Sequence, residues 1–273
     1  MKSHIKFLIG SLSLLVFASC GSEKETDKIG DAQICLNKAT DLASSNACLT
    51  KIEGIESTAA YGVRCNGSFI AEGFASPTKY ITALSSLNGA GGTAGFMGLV
   101  TFTSAGTFST DLSNASTTFT NCLNSGAKGT TLLSSFGYLA MAIYNYAKTT
   151  GNAATQTACA NTPSSGSYPF SGCLNEFFNP INILGSNQTA ISQMLCPTSA
   201  ANASAMTLQT SIGSIIVSTY NISCAGAGAN QSLCATLNTT ITNAGGTSNT
   251  RTIAISFFST LAGVDLSAVP SCL

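Results

Sequence analysis

Between Tyr80 and Leu273 the chain has 194 residues but only six ionisable charges: Asp111, Lys128, Lys148, Glu176, Arg251 and Asp265. Six in 194 is 3%, where an ordinary soluble domain carries about 25% charged residues. A surface facing water normally relies on such charges for solubility. This part of the chain must therefore meet lipid, meet copies of itself, or face water through Ser, Thr and Asn alone.

The first residues narrow the setting. In MKSHIKFLIGSLSLLVFASCGSEKETDK, Lys2 and Lys6 form a positive start, and Phe7 to Phe17 form an apolar run of signal length rather than membrane-spanning length. Ala18 and Ser19 then precede Cys20. This pattern resembles the bacterial lipoprotein signal, whose lipobox ends in small residues and an invariant cysteine. The resemblance implies a signal peptide over 1–19 and lipidation of Cys20 as the first mature residue. Gly21 in place of Asp then points to the bacterial outer membrane. The polar run over 20–30 is expected to be a flexible, lipidated tether, followed by a single disulfide-rich helical domain over 31–273.

The cysteines agree with export. Eleven are present, and setting Cys20 aside leaves ten: Cys35, Cys48, Cys65, Cys122, Cys159, Cys173, Cys196, Cys224, Cys234 and Cys272. An even number in an exported chain reads as a disulfide framework. Sequence does not choose the pairing. No CxxC pair occurs among them, so a zinc ribbon or thioredoxin-type site has no support.

Composition restricts the chemistry further. The one histidine, His4, lies in the signal segment, so neither a Ser-His-Asp nor a Cys-His arrangement can be built in the mature chain. No catalytic, cofactor or metal site is expected. A carboxylate pair such as Glu72 with Glu176 is formally available, but no spacing supports it. Removing Lys2 and Lys6 from 11 basic residues leaves 9 against 11 acidic ones, a net of −2. A basic nucleic-acid binder is excluded.

Hydrophobic spacing predicts a mainly α fold, a disulfide-cross-linked helical bundle with charge-poor helices. Helices are expected from Asp31 toward Ala43, from Ala47 to Ile55 and from Pro77 to about Leu87. The stretch AYGVRCNGSFIAEGF is left open to a small β-hairpin, because Asn66-Gly67 is a turn signal. The glycine-rich NGAGGTAGFMGLVTFTSAGTF is open between a close-packed helix and a bulged strand pair. Over 130–148, apolar residues recur at three-and-four spacing, and Thr131, Ser134, Ser135, Tyr138, Asn145 and Lys148 form the opposite, polar side. A cross-linked loop is expected over 149–180, a short helix over 187–195, and a last helix before Cys272.

Asn202 to Ser223, NASAMTLQTSIGSIIVSTYNIS, carries two interleaved stripes at helical period. Ser204, Thr207, Ser211, Ser214, Ser218 and Asn221 form one; Leu208, Ile212, Ile215 and Ile222, with Ile216 beside them, form the other. The apolar side is read as a surface contacting lipid or another subunit, with a fully interior helix as the competing reading. Seven phenylalanines, Phe96, Phe102, Phe108, Phe177, Phe178, Phe257 and Phe258, are expected to be core rather than the lining of a lipid pocket.

The lipobox, ten further cysteines and charge-poor helices together resemble the ring-forming, lipid-trapping outer-membrane proteins of predatory bacteria, the PopA-like group. That resemblance implies an α-helical homo-oligomer retaining membrane lipid within its ring. The expectation is a non-enzymatic, lipid-anchored outer-membrane protein that self-associates and contacts membrane lipid. The alternative is a monomeric, lipid-tethered binding module or adhesin with a neutral Ser/Thr/Asn coat.

Overall fold

The computed structural model describes residues 23–74, 92–160, 167–179, 212–224 and 232–262, with short stretches at 79, 82–83, 162–163, 185–187 and 190. The architecture is a disulfide-cross-linked helical bundle, and no strand occurs among the described residues. In order, the helices are α1 (Glu23–Leu36), α2 (Leu42–Leu49), a 3-10 turn (Thr50–Ile52), α3 (Thr58–Ala71), α4 (Gly92–Leu99), α5 (Phe108–Ser125), α6 (Lys128–Thr150), α7 (Ala153–Ala158) and α8 (Phe170–Phe177). A helical stretch over 212–219 passes into a π-helical turn, Tyr220–Cys224, before α9 (Ser232–Asn243) and α10 (Thr250–Ala262).

The expected tether is helical from Glu23 onward. Glu25 puts a negative charge in the first turn, where the helix dipole favours it. The second helix begins earlier than its spacing suggests. Asp41 accepts from Ser44 N at 2.8 Å while Ser44 Oγ meets the Asp41 backbone N–H at 3.2 Å, a reciprocal capping box. Those bonds also hold the Asp41 carboxyl below its ordinary value, the backbone bond to Ser44 contributing most.

The hairpin alternative at 60–74 is not adopted. Ser57 caps α3 by accepting from Ala60 N, and Asn66-Gly67 lies inside that helix. Gly67 is there for space: a Cβ would sit 3.0 Å from a Leu49 methyl and 3.1 Å from Ser45 Oγ on α2. Ser45 Oγ donates to Gly67 O across the same contact. The glycine that reads as a turn signal is a helix-crossing point.

Gly126, with φ 68°, ends α5 in the left-handed conformation and turns the chain into α6. The predicted amphipathic character of α6 is overturned. Thr131, Ser134 and Ser135, placed on its polar side, are buried along with Phe136, Leu139, Met141, Ile143 and Tyr144. Their hydroxyls bond carbonyls of their own or the preceding helix: Thr131 to Cys122 O and Ala127 O, Ser134 to Thr131 O, Ser135 to Leu132 O. Back-bonding of this kind lets a hydroxyl enter a core at little cost. A helix covered on nearly every side is the axis of a large core.

That core gathers residues of α4, α5, α6, α8, the 212–224 stretch, α9 and α10. A smaller core joins α1, α2 and α3 through Ala32, Leu36, Cys48, Ile52, Ala60 and Val63. Cys65, Phe69 and Cys122 form a third cluster, against which Phe74 and Leu133 pack. The expected loop over 149–180 contains α7 and α8, clamped by the Cys159–Cys173 bond. The glycine-rich stretch resolves as α4 followed by an irregular segment over 100–107. Of the helix expected at 77–87, Lys79, Thr82 and Ala83 are described and helical; of that expected at 187–195, only Asn187, in a turn, and Ala190, helical, are described.

Four of the expected disulfides are present: Cys35–Cys48, Cys65–Cys122, Cys159–Cys173 and Cys224–Cys234. Cys196 and Cys272 lie outside the described residues, as does Cys20.

Candidate functional site

The reading of Leu208, Ile212, Ile215, Ile216 and Ile222 as a lipid or subunit contact is corrected where the residues are described. Ile212 is 0% exposed, and Ile215 and Ile216 are also buried; Ile212 and Ile216 belong to the chain's own large core. On the other stripe Ser214 and Asn221 face outward. The described part of the aliphatic side is therefore spent inside the molecule. Leu208 and the Ile222 side chain lie outside the described residues. Gly213 brings this stretch against the start of α10, since a Cβ there would fall 1.7 Å from Thr250 O.

Phe96, Phe102, Phe108, Phe177, Phe178 and Phe257 are core residues, as their number suggested; the Phe258 side chain is not described. Among the described residues, the one large apolar side chain well exposed is Ile34, at 61%. No helix among them is long and apolar enough to cross a membrane, and no three of His, Cys, Asp or Glu gather as a metal-holding group.

Several of the few charges are also engaged internally. Glu72 is 5% exposed and holds the irregular segment after α4. Its Oε2 accepts from Thr103 N at 2.8 Å and from Ser104 N at 3.2 Å, and Ser104 Oγ donates to Oε1. One residue further on, Asp111 Oδ1 accepts from Ala105 N at 2.8 Å, and its Oδ2 accepts from Tyr168 Oη at 2.8 Å. Two carboxylates thus take up consecutive amides of one loop. Burial pushes both carboxyls above their ordinary values, opposed at Glu72 mainly by the Ser104 hydroxyl and at Asp111 mainly by the Tyr168 hydroxyl. Lys79 Nζ donates to Glu72 O and lies 4.4 Å from the Phe74 ring centre; burial depresses its ammonium, against the pull of Glu72. Lys148 Nζ donates to Cys159 O. Glu72 is therefore a loop anchor, not half of a carboxylate pair.

Beside this anchor runs a groove of about 550 Å³, within the usual range of ligand sites. One wall is α2 and its following turn, with Asn46, Leu49, Thr50 and Glu53; α3 supplies Arg64, Ser68 and Ala71; α5 supplies Thr110, Asn114, Thr117 and Asn121. The walls are fixed. The Cys65–Cys122 disulfide ties α3 to α5, and Glu72, at the end of α3, holds the loop that leads into α5. Arg64 is oriented by donation to Ile52 O at 2.7 Å and by the Tyr61 ring, 5.4 Å from its guanidinium. No side-chain hydrogen bond engages Asn46, Asn114 or Asn121 among the described residues.

The sequence reading passed over these three amides. The α5 row has a legible signal, because 110, 114, 117 and 121 are spaced 4, 3, 4. On the facing walls Arg64 lies 50 residues and Asn46 68 residues before Asn114, and nothing local announces that they line one groove. Comparison of the chain with family models, curated proteins and solved structures gives no match.

Proposed function

We propose that this protein is a non-enzymatic, lipid-anchored envelope protein whose folded part is a rigid, neutral binding module. The observation that carries the reading is the groove between α2, α3 and α5, lined by amides, hydroxyls and apolar side chains with Glu53 and Arg64 of opposite charge among them, and braced by the Cys65–Cys122 bond. Support for the neutral coat comes from the inward-facing isoleucines at 212, 215 and 216 and the outward-facing Ser214 and Asn221. Support for the anchor comes from the lipobox pattern ending at Cys20; Gly21 favours the outer membrane as its address. Lipidation is tested by intact mass of the protein purified from a bacterial envelope: an acylated N-terminal Cys20 is expected, and an unmodified chain contradicts the anchor.

A second reading, self-association around membrane lipid, draws on the six charges in residues 80–273. It predicts discrete multimers carrying phospholipid, where the binding-module reading predicts a lipid-free single chain once the anchor is removed.

A further inference from the structure

We propose that the turn over 103–107 is a pH-operated latch, closed in acid by the carboxyls of Glu72 and Asp111 and loosened as the two ionise toward neutrality. The latch goes beyond the binding-module reading and does not depend on it. The turn is built as a hinged flap. Phe102 and Phe108, on either side of it, are sunk in the large core, while Thr103, Ser104, Ala105 and Gly106 are half-buried and Thr107 is exposed. Gly106 takes φ 73° with open space around its Cβ position, a backbone conformation that side chains resist. Carboxyls from two different helices fasten the flap. Glu72, the C-cap of α3, takes the Thr103 and Ser104 amides and the Ser104 hydroxyl. Asp111, in the first turn of α5, takes the Ala105 amide and the Tyr168 hydroxyl. Ser104 and Ala105 also line the groove, so the state of the latch sets the groove's end.

Charge gives the latch its sign. Glu72 and Asp111 are both buried, so closing the turn takes two carboxylates out of water. Such a group is costly to bury unless opposite charge matches it. Lys79 is the one ammonium facing them among the described residues, and its Nζ donates to the Glu72 backbone oxygen. Tyr168 stands against Asp111, with Tyr144 of α6 beside it at 5.5 Å between ring centres; burial keeps both phenols protonated well past neutrality. Arg64, which shares the groove, is turned to Ile52 O, and Glu53 there adds negative charge. Two carboxylates thus face one ammonium. Burial outweighs the surrounding donors and raises both carboxyls. In the opened turn water returns them to their ordinary values, 4.5 and 3.8. A carboxyl raised in the closed state favours that state fully below its open value, and the advantage is lost as pH rises through its closed value.

The test is amide hydrogen exchange of the full chain in detergent, from acid to neutral pH, corrected for intrinsic exchange. The Thr103, Ser104 and Ala105 amides are read against that of Gly126, which bonds Leu123 O at the end of α5. Protection over 103–105 is expected to fall as pH rises above 4.5, while Gly126 stays level. Glu72→Gln and Asp111→Asn should each reduce the fall, and the two together should abolish it. Carbon-13 titration of the Glu72 and Asp111 carboxyls in the wild type is a second reading that needs no variant: both should titrate above their ordinary values. Protection that rises with pH, or does not change, overturns the latch. An equal fall at Gly126 overturns it too, because the whole bundle would then be loosening. Carboxyls that titrate at or below their ordinary values do the same. None of these outcomes bears on the binding-module reading, which native mass spectrometry tests.

Discussion

Glu72 and Ser104, thirty-two residues apart, are joined twice: the serine hydroxyl donates to Oε1, and its backbone amide donates to Oε2 at 3.2 Å. With the Thr103 amide as third donor, this carboxylate holds the loop between α4 and α5 and so sets the end of the groove. Glu72→Ala leaves two backbone donors without their acceptor and is expected to cost about 2–4 kcal/mol. Glu72→Gln keeps an acceptor for both amides and can donate to the Ser104 hydroxyl, so its cost should be far smaller. Urea unfolding of both variants checks the contrast.

The same carboxylate makes a signed pH prediction. Its folded-state value is raised above the ordinary 4.5 by burial. A raised carboxyl contributes stability that is fully present below the unfolded value and lost as pH rises through the folded value. Wild type should therefore gain on Glu72→Gln as pH falls from neutrality toward the ordinary glutamate value, hold that advantage below it, and lose it again toward neutrality. Asp111 is raised in the same direction but is common to both proteins and cancels. Unfolding free energies of the pair across acid to neutral pH read the slope; an advantage that grows with pH contradicts the burial-dominated assignment.

Gly213 and Thr250 make the closest helix approach to which a side chain could be added. Gly213→Ala puts a methyl against the Thr250 carbonyl and forces the 212–224 stretch away from α10. A loss of about 3 kcal/mol is expected, the upper end of the overpacking range. Thermal melts should show it clearly, whereas Gly172→Ala on α8, with open space around its Cβ position, should cost at most about 1 kcal/mol.

The two faces of the 212–219 helix give a sharper contrast. Ile216→Ala removes buried aliphatic volume and should cost about 2–5 kcal/mol, while Ser214→Lys on the exposed side should stay within about 0.5 kcal/mol. If this helix instead met hydrocarbon through its aliphatic stripe, Ile216→Ala would leave the stability of the single chain unmoved.

The bond that pins the groove should matter more than the one near the N-terminus. Cys65–Cys122 closes 57 residues and Cys35–Cys48 closes 13; loop-closure entropy puts their contributions at about 4 and about 3 kcal/mol. Paired serine substitutions, compared by denaturant midpoint, test the order.

The bundle was legible because its helices carry three-and-four spacing and its cysteines are even in number. Three features were not. Asn66-Gly67 has the chemistry of a turn, yet Gly67 serves the close pass of Leu49 and Ser45, a contact that exists only in three dimensions. Thr131, Ser134 and Ser135 read as an outer face because hydroxyls count as polar, yet each satisfies itself on a backbone carbonyl and packs inside. The groove depends on α2 and α5, some seventy residues apart in the chain, both packing against α3, and no local pattern encodes that arrangement. The isoleucine stripe showed its period but not its neighbour: the same spacing serves a bilayer, a partner or the chain's own core, and burial of Ile212 and Ile216 assigns it to the last.

Native mass spectrometry of residues 20–273 carrying Cys20→Ser, in buffer without detergent, tests most directly whether this charge-poor chain covers itself. One lipid-free chain is expected, its apolar stripes folded inward and its surface wetted by hydroxyls and amides. Discrete multimers with bound phospholipid would contradict it.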